Sequence, residues 1–364
     1  MPLRAKPFFG TLSEWESSVV RRSTTLRFSV AGWPSYPVPS HSEDVHSTFS
    51  AGIQLMRMNR RRHQFISAVA LLAIFCVPDV CAKNSTQIVV VPVTNMYSHP
   101  SDQSDVVSQA IYGSNVTLLT ARGEWCRIQT ADHYKGWVPS RHLRLVQNGS
   151  GYATSGVIVQ VDSLFANVYH EPDVTRHKPV ITIPFESRLV VIPDAPSDGM
   201  KDVKGKKAKE VHEGWLQVRL PDKRSEWIQA SDVVSDPKPL SIPQSIDLAK
   251  RFLGIPYLWG GSSSFGFDCS GFTQMLMRAR GFNMPRDADK QAAWTGVVAV
   301  DRKDLQPGDL LFFGSSPRNI THTGMYIGDG QFIHDSTNGR PVVQISRLDD
   351  QPWTKLLVAS RRVK

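Results

Sequence analysis

Trp125 and Trp137 stand twelve residues apart, and so do Trp215 and Trp227. Around these pairs the chain repeats itself. Asn95-Met96-Tyr97-Ser98-His99-Pro100 parallels Asn167-Val168-Tyr169-His170-Glu171-Pro172. Gly123-Glu124-Trp125-Cys126-Arg127-Ile128 parallels Glu213-Gly214-Trp215-Leu216-Gln217-Val218, and Gly136-Trp137-Val138-Pro139 parallels Glu226-Trp227-Ile228-Gln229. A repeat of this kind means that one small unit is built twice. Short runs such as Val116–Leu119 and Leu189–Ile192 lie between turn residues, the pattern of a small β-barrel. The tryptophans read as core or rim residues. The second copy is longer ahead of Trp215, and Lys201-Asp202-Val203-Lys204-Gly205-Lys206-Lys207 within it reads as a solvated hairpin tip.

After the second copy the character changes. Ser235 to Pro243 contains Pro237, Pro239 and Pro243, which makes a stiff, extended connector. Ser245 to Leu253 is an amphipathic helix with Ser245 as a cap, and Phe272 to Ala279 is a second helical run. Four strand-like segments follow: Asp309–Phe313, Thr323–Ile327, Gln331–His334 and Val342–Ile345. Helices first and an antiparallel sheet second give an α+β domain.

A chain of 364 residues has room for two or three domains, and 41% apolar residues suffice for a core. Residues 57–82 read RMNRRRHQFISAVALLAIFCVPDVCA. A basic cluster, a short apolar run from Phe65 to Val77 and a closing Ala82 form the layout of a secretory signal peptide. The apolar run is too short to span a bilayer, so no membrane insertion is expected once it is cleaved. The Ser- and Pro-rich residues 1–55 show no periodicity. We expect translation to begin at Met56 or Met58, with 1–55 a non-native or disordered leader. The formal net charge is +9, but the first 82 residues hold nine basic and five acidic side chains, so the remainder carries only +5. No basic helix with interleaved aromatics stands out, which excludes nucleic acid as an expected partner.

The four cysteines are Cys76, Cys81, Cys126 and Cys269. Signal cleavage removes two. Cys126 sits in the strand-like Trp125-Cys126-Arg127-Ile128 and reads as a small buried hydrophobe. Cys269, in Phe265-Gly266-Phe267-Asp268-Cys269-Ser270-Gly271-Phe272, is placed differently. Asp268 is an N-cap, which puts Cys269 in the first helical turn. The positive end of the helix and its unpaired N–H groups favour a thiolate and an oxyanion there, and thiols in such places have pKa values lowered to about 3.5–7.5. Thr321-His322-Thr323-Gly324 to Gln331-Phe332-Ile333-His334 supplies two histidines on a hairpin turning at Gly328-Asp329-Gly330. If Ile327 pairs with Gln331, Gly324 faces His334, and His322 and His334 become diagonal neighbours on one face. One histidine could take the thiol proton while the other orients it. An inert buried cysteine and a packed histidine pair are the plainer alternatives. A zinc site would need further ligands, and only one cysteine and scattered acids are on offer, so neither a metal nor a cofactor is expected.

Several motifs together resemble the NlpC-type cysteine peptidases. They are Pro256-Tyr257-Leu258-Trp259-Gly260-Gly261, Phe267-Asp268-Cys269-Ser270-Gly271-Phe272, Pro285-Arg286, Leu305 to Phe313, and His322-Thr323-Gly324-Met325-Tyr326-Ile327-Gly328. With two bacterial SH3-like domains ahead of a papain-like catalytic domain, the chain looks most like the γ-D-glutamyl-L-diamino acid endopeptidases. The resemblance implies SH3-like domains at 83–147 and 155–235, a linker at 236–244 and a peptidase domain at 245–364, behind a signal peptide at 56–82. It implies Cys269 as nucleophile, His322 as base and His334 as the third polar residue. It also implies that Tyr257, Asp268, Ser270 and, from the first SH3-like domain, Tyr134 hold a peptidoglycan stem peptide with a free N-terminal L-Ala. Where an acidic partner is expected in that domain stands Asn115. The implied enzyme is an exported monomer of the periplasm or cell wall. The alternatives are a hydrolase of intact wall that uses the SH3-like domains as anchors, and a wall-binding protein without activity.

Overall fold

The computed structural model describes residues 84–146, 151–193 and 214–364. The leader, the signal segment and the Lys201–Lys207 stretch lie outside the described residues. The first copy of the repeat forms β1 (Thr86–Val89), β2 (Val93–Tyr97), β3 (Val106–Ile111), β4 (Asn115–Arg122), β5 (Trp125–Gln129), β6 (Lys135–Pro139) and β7 (Leu143–Leu145). The second forms β8 (Ile158–Val161), β9 (Phe165–Tyr169), β10 (Ile181–Pro184), β11 (Arg188–Val191), β12 (Trp215–Arg219), β13 (Ser225–Gln229) and β14 (Val233–Ser235).

The two sheets run β3-β2-β6-β5-β4-β1-β7 and β10-β9-β13-β12-β11-β8-β14, the same order strand for strand. The sequence repeat is therefore a repeat of topology. One aromatic contact recurs as well. Tyr97 meets Trp125 edge to face at 5.5 Å, and Tyr169 meets Trp215 at 5.6 Å. All four tryptophans are half-buried, in keeping with a rim. Cys126 is buried among Val116, Leu118, Ile128 and Val138, as a small hydrophobe in the first unit's core.

The C-terminal part is α+β, as expected. It comprises α1 (Ile242–Arg251), a short hairpin of β15 (Ser262–Ser263) and β16 (Gly266–Phe267), α2 (Cys269–Ala279) and α3 (Ala288–Ala292). A six-stranded antiparallel sheet follows, from β17 (Val297–Ala299), β18 (Leu310–Ser316), β19 (Asn319–Gly328), β20 (Gln331–Ser336), β21 (Val342–Arg347) and β22 (Leu357–Val363), with α4 (Trp353–Leu356) before the last strand. Its order is β17-β22-β18-β19-β20-β21. Leu248, Phe252, Phe272 and Met275 from the helices cover one face, against Phe312, Met325, Ile333 and Val343. Leu311, Phe313, Phe332 and Trp353 cluster on the other.

Two local expectations are corrected. α1 begins at Ile242, and its cap is Ser241, not Ser245. Ser241 and Gln244 form a reciprocal capping box, and Pro243 fits the first turn, where its missing N–H is no loss. Ser245 is buried, its hydroxyl donating to the Ile242 carbonyl at 2.7 Å. In the hairpin, Gly328 rather than Ile327 pairs with Gln331. Asp329 and Gly330 take φ of 50° and 70°, the pair of left-handed residues that a tight two-residue turn requires. A bulge at Ile327 absorbs the extra residue, so Met325 still faces Ile333 and the two histidines keep their neighbourhood.

The serine run ahead of α2 ties the C-terminal part to both β units. Ser263 donates to the Gln109 side chain of β3 at 3.1 Å, and the Ser262 N–H donates to the same oxygen at 3.0 Å. Ser264 donates to the Leu164 carbonyl at 2.5 Å and accepts the Phe185 N–H at 3.1 Å, while Phe265 stacks on Phe165. Because Ser264 is buried, Ser264→Ala strands two backbone groups away from water. It is expected to lower unfolding stability by about 1–3 kcal/mol in chemical denaturation. A variant as stable as the parent contradicts this account of the junction.

Candidate active site

The cleft is organised by the first turn of α2. Asp268 is extended (φ −99°) and accepts the Gly271 N–H at 2.7 Å, so it caps the helix and makes Cys269 its first residue, as expected. A β-carbon at Gly271 would lie 2.1 Å from the Gly261 carbonyl oxygen, so only glycine lets the Tyr257–Gly261 loop press against the helix start. The second Asp268 oxygen accepts the Gly260 N–H at 3.1 Å. Arg286 grips both oxygens with its two terminal nitrogens, at 2.9 and 2.7 Å. The same guanidinium donates to Ser270 Oγ, to the Gly261 carbonyl and to Ser108 Oγ of β3. Asp268 and Ser270 therefore stand inside a buried ion-pair network, their polar atoms shared with Arg286.

The histidines meet on the opposite side. His322 Nε2 and His334 Nδ1 are 2.7 Å apart, and His334 Nε2 lies 3.0 Å from Ser346 Oγ. If His322 carries its proton on Nε2, it donates to His334, which in turn donates to Ser346. His322 Nδ1 is then left as the acceptor. Gly324 makes this closeness possible, since a β-carbon there would fall 2.9 Å from that of His334. Trp353 stacks on His322 at 5.1 Å and presents an edge to His334 at 4.8 Å. The cysteine approaches the same strand: the Thr323 N–H, next in the chain to His322, acts on the sulfur together with the Ser270 N–H.

The electrostatics differ from the expectation for a helix start. Burial, and then the Asp268 charge, push the Cys269 thiol up to about 12, against the pull of the Thr323 and Ser270 N–H groups. Cys269 is 8% exposed, so desolvation of the anion outweighs the helix end. Burial pushes His322 down to about 4, a shift only partly opposed by Asp268. His334 is lowered well below 6.5, by burial and by His322. The expected thiolate is thus corrected to a resting neutral thiol, and the His322 imidazole rests neutral too.

The profile of the NlpC/P60 family matches residues 254–362, and that of the bacterial dipeptidyl-peptidase SH3 domain matches residues 96–143. The gamma-D-glutamyl-L-lysine dipeptidyl-peptidase of Bacillus cereus (strain ATCC 10987 / NRS 248) is 30% identical over 270 residues, which is 70% of this chain and 74% of that protein. The chain belongs to the NlpC/P60 family. The enzyme of the same name from Bacillus subtilis (strain 168) is 44% identical over 113 residues, covering 30% of this chain and 37% of that protein. A crystal structure of an NlpC/P60 family protein from Bacillus cereus superposes with a TM-score of 0.64 at 25% identity, covering 77% of this chain and 99% of that one. The protein is accordingly a cysteine-type NlpC/P60 peptidase.

Two further tyrosines flank the cleft of this NlpC/P60 chain. The Tyr257 phenol is pushed above its ordinary value by burial and then by Cys269, Asp268 and Asp335. Tyr134, from the loop before β6, reaches across from the first β unit and donates to the Asp287 carboxylate at 3.1 Å. Burial, then Asp287, push that phenol up to about 12. Burial raises the Asp287 carboxyl too, although the Tyr134 bond opposes the shift. Asn115, where an acid was sought, instead bonds the Tyr152 backbone. Arg286, Asp287, Trp353 and Ser346 escaped the sequence reading. Arg286 stood in a recognised motif without a role. The other three carry no local signal, because distant elements bring them to the site. Among the described residues no group of three His, Cys, Asp or Glu is placed to hold a metal ion, and no helix is long and apolar enough to cross a membrane.

The His322 ring is expected to titrate near pH 4 in NMR spectra, against 6.5 for a free imidazole. Its folded value is depressed, so its contribution is present above 6.5 and is lost as the pH falls through about 4. A ring that titrates at 6.5 in the folded protein contradicts the buried neutral pair.

Proposed function

We propose that this peptidase is exported and hydrolyses the γ-D-Glu–diamino acid amide bond of peptidoglycan stem peptides that carry a free N-terminal L-Ala. The carrying observation is the Tyr134–Asp287 pair, which sets a carboxylate at the junction of the first β unit and the catalytic part, one residue from Arg286. A dipeptidyl-peptidase cuts after the second residue and must sense the amino terminus. A half-buried carboxylate held by a phenol suits an ammonium group. On this reading the two β units are SH3-like barrels at 83–147 and 155–235, joined by 236–244 to a papain-like domain at 245–364. The relatives' printed activity, cleavage beside γ-D-glutamate, supports the choice of bond. Export rests on the signal-like residues 56–82. The mild positive charge suits carboxylate-bearing wall peptides.

The chemistry is acyl transfer. Cys269 Sγ attacks the amide carbonyl carbon as its proton passes to His322 Nδ1. His322, still bonded through Nε2 to His334, delivers that proton to the leaving amine. The N–H groups at the start of α2 and the Tyr257 hydroxyl receive the oxyanion. Water, deprotonated by His322, then releases the thioester as a carboxylate. Tyr134 and Asp287 hold the substrate's amino end, while Asp268 and Ser270, engaged by Arg286, fix the helix start beside it.

The test compares L-Ala-γ-D-Glu-diaminopimelate with its N-acetylated form. Acetylation is expected to lower kcat/KM sharply; equal rates would move the reading to intact wall. Asp287→Asn is expected to raise KM for the free-amine substrate by roughly tenfold to a hundredfold, since bonds to charged groups are worth about 1.5–3 kcal/mol, while leaving the acetylated substrate unaffected. Cys269→Ala is expected to cost roughly a thousandfold or more in kcat. Undiminished hydrolysis by that variant would remove the proposed nucleophile.

A further inference from the structure

Asp335 follows His334 on β20 and so points to the other face of the sheet. Its cross-strand neighbour is Val343, and the face they share is the one α2 covers, with Met325 and Ile333. The residue is 0% exposed, and neither carboxyl oxygen closes a well-formed hydrogen bond, although the backbone N–H groups of Ser336 and Phe267 act on it from nearby. Nearby, the β19–β20 pairing stops at Met325 and Ile333. Beyond it on β19, the Thr323 N–H turns to the Cys269 sulfur, and the Thr323 hydroxyl is also buried without a partner. Thr323 lies on the same face as Met325, two residues away. A buried carboxyl and a buried hydroxyl therefore sit unsatisfied beneath the start of α2, where a hydrophobic residue would pack without penalty.

We propose that Asp335 is a positioning residue for the hydrolysis proposed above: it serves as an uncharged carboxyl beneath Tyr257 and the helix start, and a charge there disables the site. The groups that face it are few. The β16–α2 corner brings Asp268, the loop before β15 brings Tyr257, and α2 brings Cys269. β19 brings the Thr323 hydroxyl, its His322 lying on the other face, and β21 brings apolar Val343. The nearest cation, Arg286, is already paired with Asp268. Burial and then Asp268 accordingly push the Asp335 carboxyl up to about 8, while the Ser336 and Phe267 N–H groups pull the other way. Ionised, Asp335 would draw the Tyr257 hydroxyl away from the developing oxyanion and repel it. It would also strain the Phe267–Asp268 corner that caps α2. The neutral acid does neither.

This assigns the alkaline limb of the pH–rate profile to Asp335 rather than to the thiol. For the wild type, kcat at saturating L-Ala-γ-D-Glu-diaminopimelate, which is free of the unbound substrate ammonium's own titration near 8, is expected to fall tenfold per pH unit above about 8. Asp335→Asn is expected to stay within about threefold of wild type at pH 6 and to move the limb up by at least one unit, with the change in kcat rather than KM. Asp335→Ala, smaller and never charged, serves if the Asn variant does not fold. Infrared difference spectra supply a readout that needs no substrate. The wild type is expected to show a protonated-carboxyl C=O band at pH 7 that disappears near pH 8 and is missing from the variant. An unshifted alkaline limb, or a band already lost at the pH of an ordinary aspartate, overturns the proposal. If no stem peptide is cleaved by any form, the substrate reading falls, while the spectra still decide the state of Asp335.

Discussion

Beneath the first turn of α2, a guanidinium and a carboxylate meet almost out of reach of water. The Arg286 side chain is 2% exposed and that of Asp268 12%. Stripping water from two such charges costs several kcal/mol each, and their attraction repays it only when every remaining donor and acceptor is used. Here they are used. Asp268 collects the N–H groups of Gly260 and Gly271, and Arg286 spends its other bonds on Ser270, Gly261 and Ser108. One ion pair therefore caps the helix of the proposed nucleophile, pins the loop that carries Tyr257, and reaches into β3 of the first β unit. Removing either partner would leave a buried charge unpaired, a loss of about 3–5 kcal/mol, and would loosen all three attachments together.

The same burial sets how the thiol can react. A thiolate stored in advance would need a charge-stabilising pocket, and the pocket around Cys269 is better at excluding water than at holding an anion. The nearest formal charge, on Asp268, has the wrong sign. A neutral thiol and neutral imidazole avoid separated charge until substrate arrives. In the proposed reaction the proton moves only as sulfur bonds to carbon. The Nε2–H of His322, directed at His334 and relayed to Ser346, offsets the imidazolium that forms. Trp353, stacked on one ring and edge-on to the other, keeps both in that geometry.

Much of this was legible because local chemistry and final structure agree. The duplicated Trp–Trp spacing became two sheets of identical strand order. Asp268 became the cap and Cys269 the first helical residue. Gly324 left the gap into which His334 packs. What failed did so for reasons of environment. A helix start lowers a thiol's pKa in partial solvent, but nothing in Phe-Asp-Cys-Ser states that the turn will be sealed by the Gly260–Gly261 loop and by β19. Ser241 and Ser245 are equally good caps by type, and only the reach of Gln244 chooses between them. Asp287, Ser346 and Trp353 act through contacts with residues 12 to 153 positions away, across separate elements, which no short window along the chain displays.

The division of labour between neighbouring residues bears on specificity. Arg286 holds the cap of the nucleophile's helix, and Asp287, the next residue, touches Tyr134. One peptide bond thus links the anchor of the sulfur to the carboxylate proposed to receive an ammonium group. The rest of that link, the Arg286–Asp268 ion pair and the start of α2, also lies within the catalytic part, so the span between attack and amino terminus does not run through the first β unit. A more distant carboxylate on the first β unit, in the manner sought at Asn115, would let that span vary with any rocking between the two parts. Placing the acid on the catalytic side and only its phenol partner across the gap removes that freedom. Movement of the β unit then alters how tightly the carboxylate is held, while the backbone that carries it stays with the catalytic part.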